Sequence, residues 1–414
     1  MAISLCLFDL DNTLVRTSDL VDFRGSANVN NASGQYTNAL TVAFDASPGR
    51  VIYSLEQHQA LRQRFPEMKW GVFTRSPRHY ARTLLARAYP GLAWDTIIGF
   101  EDVHQTKPDK EGVWSAMKAL GIDNPDEVAL VGDEKVDIQC AYQSGCWSVL
   151  DQSSWNRPWA GPNFWAIERI PDAIIHSPSD LGDVLENPGK FLPELELRST
   201  GLLPGTSAPR IDRINHFFPV KGENAVPVAI LGKLFGEYEA LVPRHDWHEL
   251  TSQVLAHKDA TEFPDSWIQA IRRYLKSELL AGAAVVTVIP FKPGRHPRLE
   301  ALLAQLERSH QATPILPKPL FAAAAQLTFN PSVLSFKPGA VSSHGMHLKK
   351  DDRFINVREN LFVQQPCAVK GRRVVVIDDV VTSGATLLWA HRYLQNAGAS
   401  SVHCMSLTKA IGVG

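Results

Sequence analysis

Short apolar runs and longer amphipathic stretches take turns along this chain. Ser4–Asp9, Trp70–Thr74, Thr96–Gly99, Val128–Val131 and Trp147–Leu150 are rich in aliphatic and aromatic residues and read as strands. Between them, Leu55–Phe65, Pro77–Ala88, Lys110–Leu120 and Asp137–Ser144 repeat apolar positions at helical spacing. Strands alternating with helices predict βαβ units and a parallel sheet, because a parallel pair needs a crossover between its strands. Asp172–His176 and Ser179–Leu185 add one more strand and helix, carrying this unit to about residue 187.

Glu186 to Ser207 then holds Pro188, Gly189, Pro193, Gly201, Pro204 and Gly205 with few periodic apolar positions, which predicts a linker. Beyond it Trp247–His257, Trp267–Leu280, Leu299–Leu306 and Ala385–Asn396 read as helices, and Ala283–Pro290, Arg373–Ile377 and Ser401–Ser406 as buried strands. The fold class expected is α/β, with two Rossmann-like parallel-sheet domains at 1–187 and 208–414 and a linker at 188–207. At 414 residues, two domains agree with a prior of about 150 residues each.

Composition changes this picture in one respect. A formal net charge of −1 over the whole chain argues against a polyanionic partner. It is a cancellation, however: from Ala208 onward there are 24 basic and 17 acidic residues, against 18 and 26 before it. An acidic half precedes a basic one. Five cysteines without Cys-x-x-Cys spacing make a poor disulfide framework, so reduced thiols are expected. The longest apolar stretch, Leu279 to Phe291, is shorter than the ~20 residues that span a bilayer. The start of the chain has no basic segment leading into a small-residue cleavage site, so a cytoplasmic protein is expected, with no membrane partner.

In the acidic half, Asp9 and Asp11 follow the first strand, at the edge where open α/β sheets bind ligands. Two carboxylates so close repel unless a divalent cation or a proton intervenes. Asp133 and Asp137 follow another strand in Val131-Gly-Asp-Glu-Lys-Val-Asp137. Thr74 ends a third strand, where its hydroxyl and nearby amides can hold a phosphate oxygen, and Lys107 in Lys107-Pro-Asp-Lys110 offers a cation. These four motifs, in this order, resemble the haloacid dehalogenase (HAD) superfamily, chiefly its phosphatases. The resemblance implies Asp9 as the nucleophile that forms an aspartyl-phosphate, and Asp11 as general acid/base. It further implies Thr74 and Lys107 as holders of the phosphoryl group, and Mg2+ held at Asp9, Asp11, Asp133 and Asp137. The segment between Leu14 and Tyr53 is short and rich in Asn, Ser and Gly, which predicts a hairpin-like flap where the family has large helical caps. Trp155, Trp159 and Trp165, with Pro158 and Pro162, read as packing residues.

The basic half contains Arg373-Val-Val-Val-Ile-Asp-Asp-Val-Val-Thr-Ser-Gly-Ala-Thr386. A strand delivers Asp378 and Asp379, and a loop of small and hydroxyl residues opens a helix whose N-terminal amides favour a phosphate. Acids suited to vicinal ribose hydroxyls beside a phosphate loop spell ribose 5-phosphate. This run resembles the phosphoribosyl pyrophosphate (PRPP) motif of type I phosphoribosyltransferases, and 208–414 resembles their ComF-like branch more than the classical nucleobase-salvage enzymes. The resemblance implies that Asp378 and Asp379 bind the ribose, and that Thr382, Ser383, Gly384, Ala385 and Thr386 bind the 5-phosphate. Lys292 and Arg295 are candidates for the pyrophosphate loop; Lys349, Lys350, Arg353, Asn356 and Arg358 are candidates for a mobile hood. The ComF-like run Arg-Gly-Phe-Asn-Gln is replaced here by Arg295-His-Pro-Arg298.

The function expected is a bifunctional enzyme with Mg2+ as cofactor and PRPP as co-substrate, combining phosphate monoester hydrolysis with phosphoribosyl transfer. The alternative is a phosphatase regulated by a non-catalytic PRPP- or nucleotide-sensing domain. Small phosphorylated molecules are the expected partners, together with a second copy of the chain or operon-encoded proteins. No aromatic-interleaved basic motif marks a nucleic-acid partner.

Overall fold

The structure, a computed structural model, describes residues 2–156, 161–202, 210–219, 224–278, 284–315, 327–340 and 350–413, the side chains of Glu278 and Lys350 excepted. Trp159, Pro158, Lys349 and the Lys350 side chain lie outside what is described, as does 203–207 of the expected linker.

The first unit is a six-stranded sheet of β1 (Leu5–Phe8), β2 (Lys69–Phe73), β3 (Thr96–Ile98), β4 (Val128–Gly132), β5 (Trp147–Asp151) and β6 (Ala173–Ile175). Its order is β3-β2-β1-β4-β5-β6 and every pair is parallel. Helices cover both faces, which is why β1 and β4 carry no polar side chain and, like β5, are wholly buried. The direction of winding reverses between β1 and β4. Their carboxyl ends therefore splay apart and open a crevice.

The second unit contains β7 (Asp212–His216), β8 (Val226–Ile230), β9 (Lys233–Phe235), β10 (Ala284–Val288), β11 (Leu327–Phe329), β12 (Leu334–Phe336), β13 (Leu361–Val363), β14 (Arg373–Val381) and β15 (Ser401–Ile411). The main sheet runs β11-β10-β14-β15-β8-β7, with β9 paired to the far end of β15. All of these pairs are parallel except β7 with β8, and β12 and β13 form a separate antiparallel pair. Among the described residues no helix is long and apolar enough to cross a membrane.

Two expectations change. The segment expected to be a hairpin flap is a small helical cap: a short 3-10 turn at Val21–Arg24, then helix Gly34–Asp45, capped by the Ser33 side chain and packed on helix Arg78–Ala88. Part of the expected linker is helix Glu194–Ser199, which buries Leu195 and Leu197 completely or nearly so. This helix belongs to the joint between the units. Leu195 N–H donates to the Leu231 carbonyl (2.8 Å), and Lys233 reaches both Asp172 and Glu196 at 3.0 Å. Beside them Ile138, Tyr142, Leu150 and Ala166 of the first unit pack with Phe235, Leu241 and Ile411 of the second. Each fully buried Ile, Leu or Phe among them contributes about 1.5–3 kcal/mol.

Candidate active sites

In the first unit, Asp9 N–H donates to the Val131 carbonyl (2.8 Å), so the carboxylate leaves the sheet between β1 and β4. The chain then turns through Asn12, which takes φ 60°, a left-handed conformation that Asn tolerates. Asp133 follows β4, and Asp137 sits in the first turn of helix Lys135–Ser144. Gly132 makes this close approach possible, because a Cβ there would lie 2.3 Å from the Asp137 carboxyl carbon. Oxygens of Asp9, Asp133 and Asp137 lie within 4.8 Å of one another. Lys107, its side chain fully buried, reaches Asp9 Oδ1 (2.6 Å) and Asp137 Oδ1 (2.8 Å). Lys110, the alternative cation of that motif, lies over the Trp114 ring instead.

These charges are out of balance. Burial pushes Asp9 up to about 7, opposed by Lys107 and reinforced by Asp137 and Asp11. Burial, then Asp137 and Asp9, holds Asp133 well above the usual carboxylate range. Burial works against the charge on Lys107, yet Asp137 and Asp9 keep its pKa above that of an ordinary lysine. Three converging carboxylates served by one ammonium suit a hard divalent cation with oxygen ligands, and Asp9, Asp133 and Asp137 are the residues that fit it.

Asp11, expected among the metal ligands, stands outside that group. Its carboxylate accepts from Thr17 Oγ1 (2.6 Å), Ser76 Oγ (2.5 Å) and Tyr80 OH (3.0 Å), with Thr74 Oγ1 at 3.4 Å and Arg24 Nη1 at 3.2 Å. Those donors turn it across the crevice, away from the acid cluster. Thr74 is where the sequence places it, at the end of β2, and Ser76 N–H donates to its hydroxyl (3.1 Å). A cavity of about 330 Å3 opens over Asp9, Asp11, Thr74 and Asp137.

In the second unit, the acids lie within the last residues of β14. Asp378 Oδ1 accepts from Asp379 N–H (2.9 Å), and Asp379 Oδ1 accepts from Val380 N–H (2.7 Å). Burial, then the Asp379 charge, raises Asp378 well above the usual range. Thr382, Ser383 and Gly384 turn the chain into helix Ala385–Asn396, whose first residues are Ala385 and Thr386. Gly384 has φ 76°, and a Cβ there would lie 2.6 Å from the His216 ring. Burial lowers the Lys292 pKa; Asp378 acts in the other direction, and Arg353 and Arg295 reinforce the lowering. Lys292 thus lies in the field of Asp378, and Arg295 and Arg353 stand near enough to Lys292 to act on it. Arg358, by contrast, contacts its neighbour Glu359 (3.3 Å), and the Asn356 carbonyl accepts from the Asn360 amide (2.8 Å).

One residue was not singled out by sequence. Arg298, at the start of helix Arg298–Ala312, places Nη1 2.6 Å from Asp379 Oδ2. Its Nε and Nη2 are buried without a hydrogen-bond partner among the described residues. Buried donors left open in this way are costly unless a ligand takes them. A cation three residues beyond Arg295 of the candidate pyrophosphate loop was the available signal. Of the tryptophans, Trp155 packs against the interdomain cluster, and Trp165 is half exposed with Lys135 over its ring.

The two arrangements form two modules on one chain, an acid cluster around a buried lysine and an acid pair beside a turn of small and hydroxyl residues that opens a helix. Comparison with known proteins agrees. The family model described as haloacid dehalogenase-like hydrolase matches residues 56–150, and the phosphoribosyl transferase domain model matches residues 264–411, so the chain carries both domains. An N-acetylmuramic acid 6-phosphate phosphatase from Pseudomonas aeruginosa is 29% identical over 28% of this chain and 50% of its own. Pyrophosphatase PpaX from Oceanobacillus iheyensis is 24% identical over 36% of this chain and 87% of its own. A HAD-superfamily hydrolase from Ehrlichia chaffeensis, of known structure, is 19% identical with a TM-score of 0.30, covering 45% of this chain and 97% of that one. The chain spans about half the length of the first curated relatives it matches.

Proposed function

We propose that this protein is a bifunctional enzyme, a Mg2+-dependent phosphate monoester hydrolase joined to a PRPP-dependent phosphoribosyltransferase. The observation that carries the first half is the group of Asp9, Asp133 and Asp137, with Lys107 bridging Asp9 and Asp137. Asp9 attacks phosphorus and forms an aspartyl-phosphate, and the alkoxide leaves with a proton from Asp11. Asp11 then takes a proton from water, which displaces phosphate and regenerates Asp9. Lys107 and the Thr74 hydroxyl hold the phosphoryl oxygens. Mg2+ at Asp9, Asp133 and Asp137 would supply charge neutralisation.

In the second half, Asp378 and Asp379 hold the ribose hydroxyls while residues 382–386 hold the 5-phosphate. The cations Lys292, Arg295 and Arg353 stabilise the departing pyrophosphate, so rate comes from positioning and charge rather than from a protein nucleophile. A second reading has one observation in its favour: Arg298 already occupies Asp379. In that reading the domain binds PRPP without turnover and regulates the phosphatase.

Incubation with Mg2+, PRPP and a panel of bases separates the two readings. Pyrophosphate release supports transfer; PRPP binding without release under any acceptor supports the sensor. For the hydrolase, Asp9→Asn is expected to abolish phosphate release from monoesters, and undiminished release rejects the phosphatase assignment.

A further inference from the structure

We propose that the phosphatase cavity selects small monoesters whose leaving group carries its own negative charge, a carboxylate or a second phosphate, and that Arg24 and Arg75 read that charge. The proposal rests on the phosphatase reading above and goes on to name its substrate class.

Apart from the groups that handle the phosphoryl transfer, the cavity wall consists of Asn12, Arg24, Arg75, Ser76, Glu134 and Val136. Among the described residues the wall holds one aliphatic side chain and no aromatic one. A nucleobase, which binds by stacking on aromatic faces, finds no platform there. At about 330 Å3 the cavity is also at the small end of ligand sites.

The two arginines are not needed by the acid cluster, whose cation is Lys107. Arg24 stands on the cap, where Tyr36 OH donates to the Phe23 carbonyl (2.8 Å) and fixes the turn. Its one ion pair among the described residues is with Asp11, at 3.2 Å. Asp11 already accepts from three hydroxyls at 3.0 Å or less, so most of the Arg24 fork remains available to an anion. Arg75 pairs with Glu134 at 2.6 Å, with both side chains about half exposed. Such a surface pair contributes little and yields easily to a ligand, while it also cancels the charge of Glu134 toward cationic groups. Two planar, multi-donor cations lining one cavity, one from the cap and one beside Thr74, match a carboxylate or phosphate on the leaving group.

The test compares kcat/KM of the full chain with Mg2+ on three monoesters of equal length: phosphoglycolate, ethyl phosphate and phosphoethanolamine. Wild type is expected to prefer phosphoglycolate to ethyl phosphate by about tenfold or more, the size of one charged hydrogen bond, with phosphoethanolamine last. Arg24→Gln and Arg75→Gln should each shrink the ratio of the first two severalfold, chiefly through KM, and Arg24→Lys should keep part of it. The ratio is the readout because Arg24 touches Asp11, so its loss alters rates on all substrates. Equal rates on the acidic and neutral esters in wild type, or a ratio unchanged in both glutamine variants, overturns the proposal. If wild type hydrolyses none of the three, nor p-nitrophenyl phosphate, the phosphatase reading itself fails and the proposal with it.

Discussion

Asp172 of the first domain and Arg244 of the second meet at 2.7 Å, with both side chains shielded from water. Lys233 adds a second contact to Asp172 and is itself shared with Glu196, which His248 also contacts at 3.0 Å. Arg244 is stacked 3.9 Å from the Trp247 ring and donates to the Cys146 carbonyl (2.8 Å). The joint between the domains is therefore a fully enclosed ionic network, and several expectations start from it.

Asp172→Ala leaves Arg244 buried without its countercharge. A loss of about 3–5 kcal/mol is expected from breaking one side of such a pair. Denaturant unfolding of the variant and wild type measures it, and an unchanged midpoint would show that the pair does not anchor the joint.

The same residue sets an acid limit. Burial alone would raise Asp172, but Arg244 and Lys233 hold it at about 2, below the ordinary 3.8. A carboxyl depressed in the folded state contributes stability that is fully present above its unfolded pKa and is lost as pH falls toward the folded one. Stability should therefore fall more steeply in wild type than in Asp172→Asn between about pH 4 and pH 2. Parallel pH profiles of the two proteins would contradict this.

Lys107→Met removes the ammonium that bridges Asp9 and Asp137 beside Asp133. Phosphatase activity should be lost, and the variant should melt well below wild type in EDTA. Millimolar Mg2+ should close much of that gap, because a divalent ion relieves the same repulsion. A melting difference indifferent to Mg2+ would argue against a cation site among these acids.

Gly384→Ala tests the phosphate turn of the other domain. The left-handed φ and the His216 ring both oppose a Cβ, so a cost of at least about 1 kcal/mol is expected, with PRPP affinity reduced. Hydrolysis of monoesters should persist. Calorimetric titration with PRPP, run beside a phosphatase assay, checks both halves.

Arg298→Ala should weaken PRPP binding by about tenfold, since it deletes charged donors that no described residue takes up. The same titration reads this outcome. Unchanged affinity would make Arg298 a mere partner of Asp379.

How much of this was legible in the sequence depends on burial. β1, β4, β10 and β14 are covered on both faces and so read as continuous apolar runs with chemistry at their ends, which is why Asp9, Asp133, Asp378 and Asp379 could be placed. β8 was missed because Pro227 interrupts it, and β9 because three residues carry no pattern. Helix Glu194–Ser199 was hidden by its flanking Pro and Gly; what holds it is tertiary, Leu195 and Leu197 inside and Glu196 against Lys233. The cap helix was masked by the Asn- and Gly-rich turn before it. Asp11 was placed correctly at the strand end, but the donors that turn it aside come from Thr17, Ser76 and Tyr80, and only folding brings them together. Arg298 lies 81 positions from Asp379, beyond any local motif.

Helix Lys135–Ser144 carries Asp137 of the acid cluster in its first turn and, near its other end, Tyr142 edge-on to Phe235, ring centres 5.0 Å apart. One rod thus spans a catalytic crevice and a domain joint. Neither half is a cassette that can be cut out or grafted elsewhere intact. A hydrolase fragment released alone would bare Tyr142 and strand Asp172, and its counterpart would carry Lys233 and Arg244 as orphan cations. Fragment complementation, with the halves made together and allowed to reassemble, is the form in which they would regain their shape.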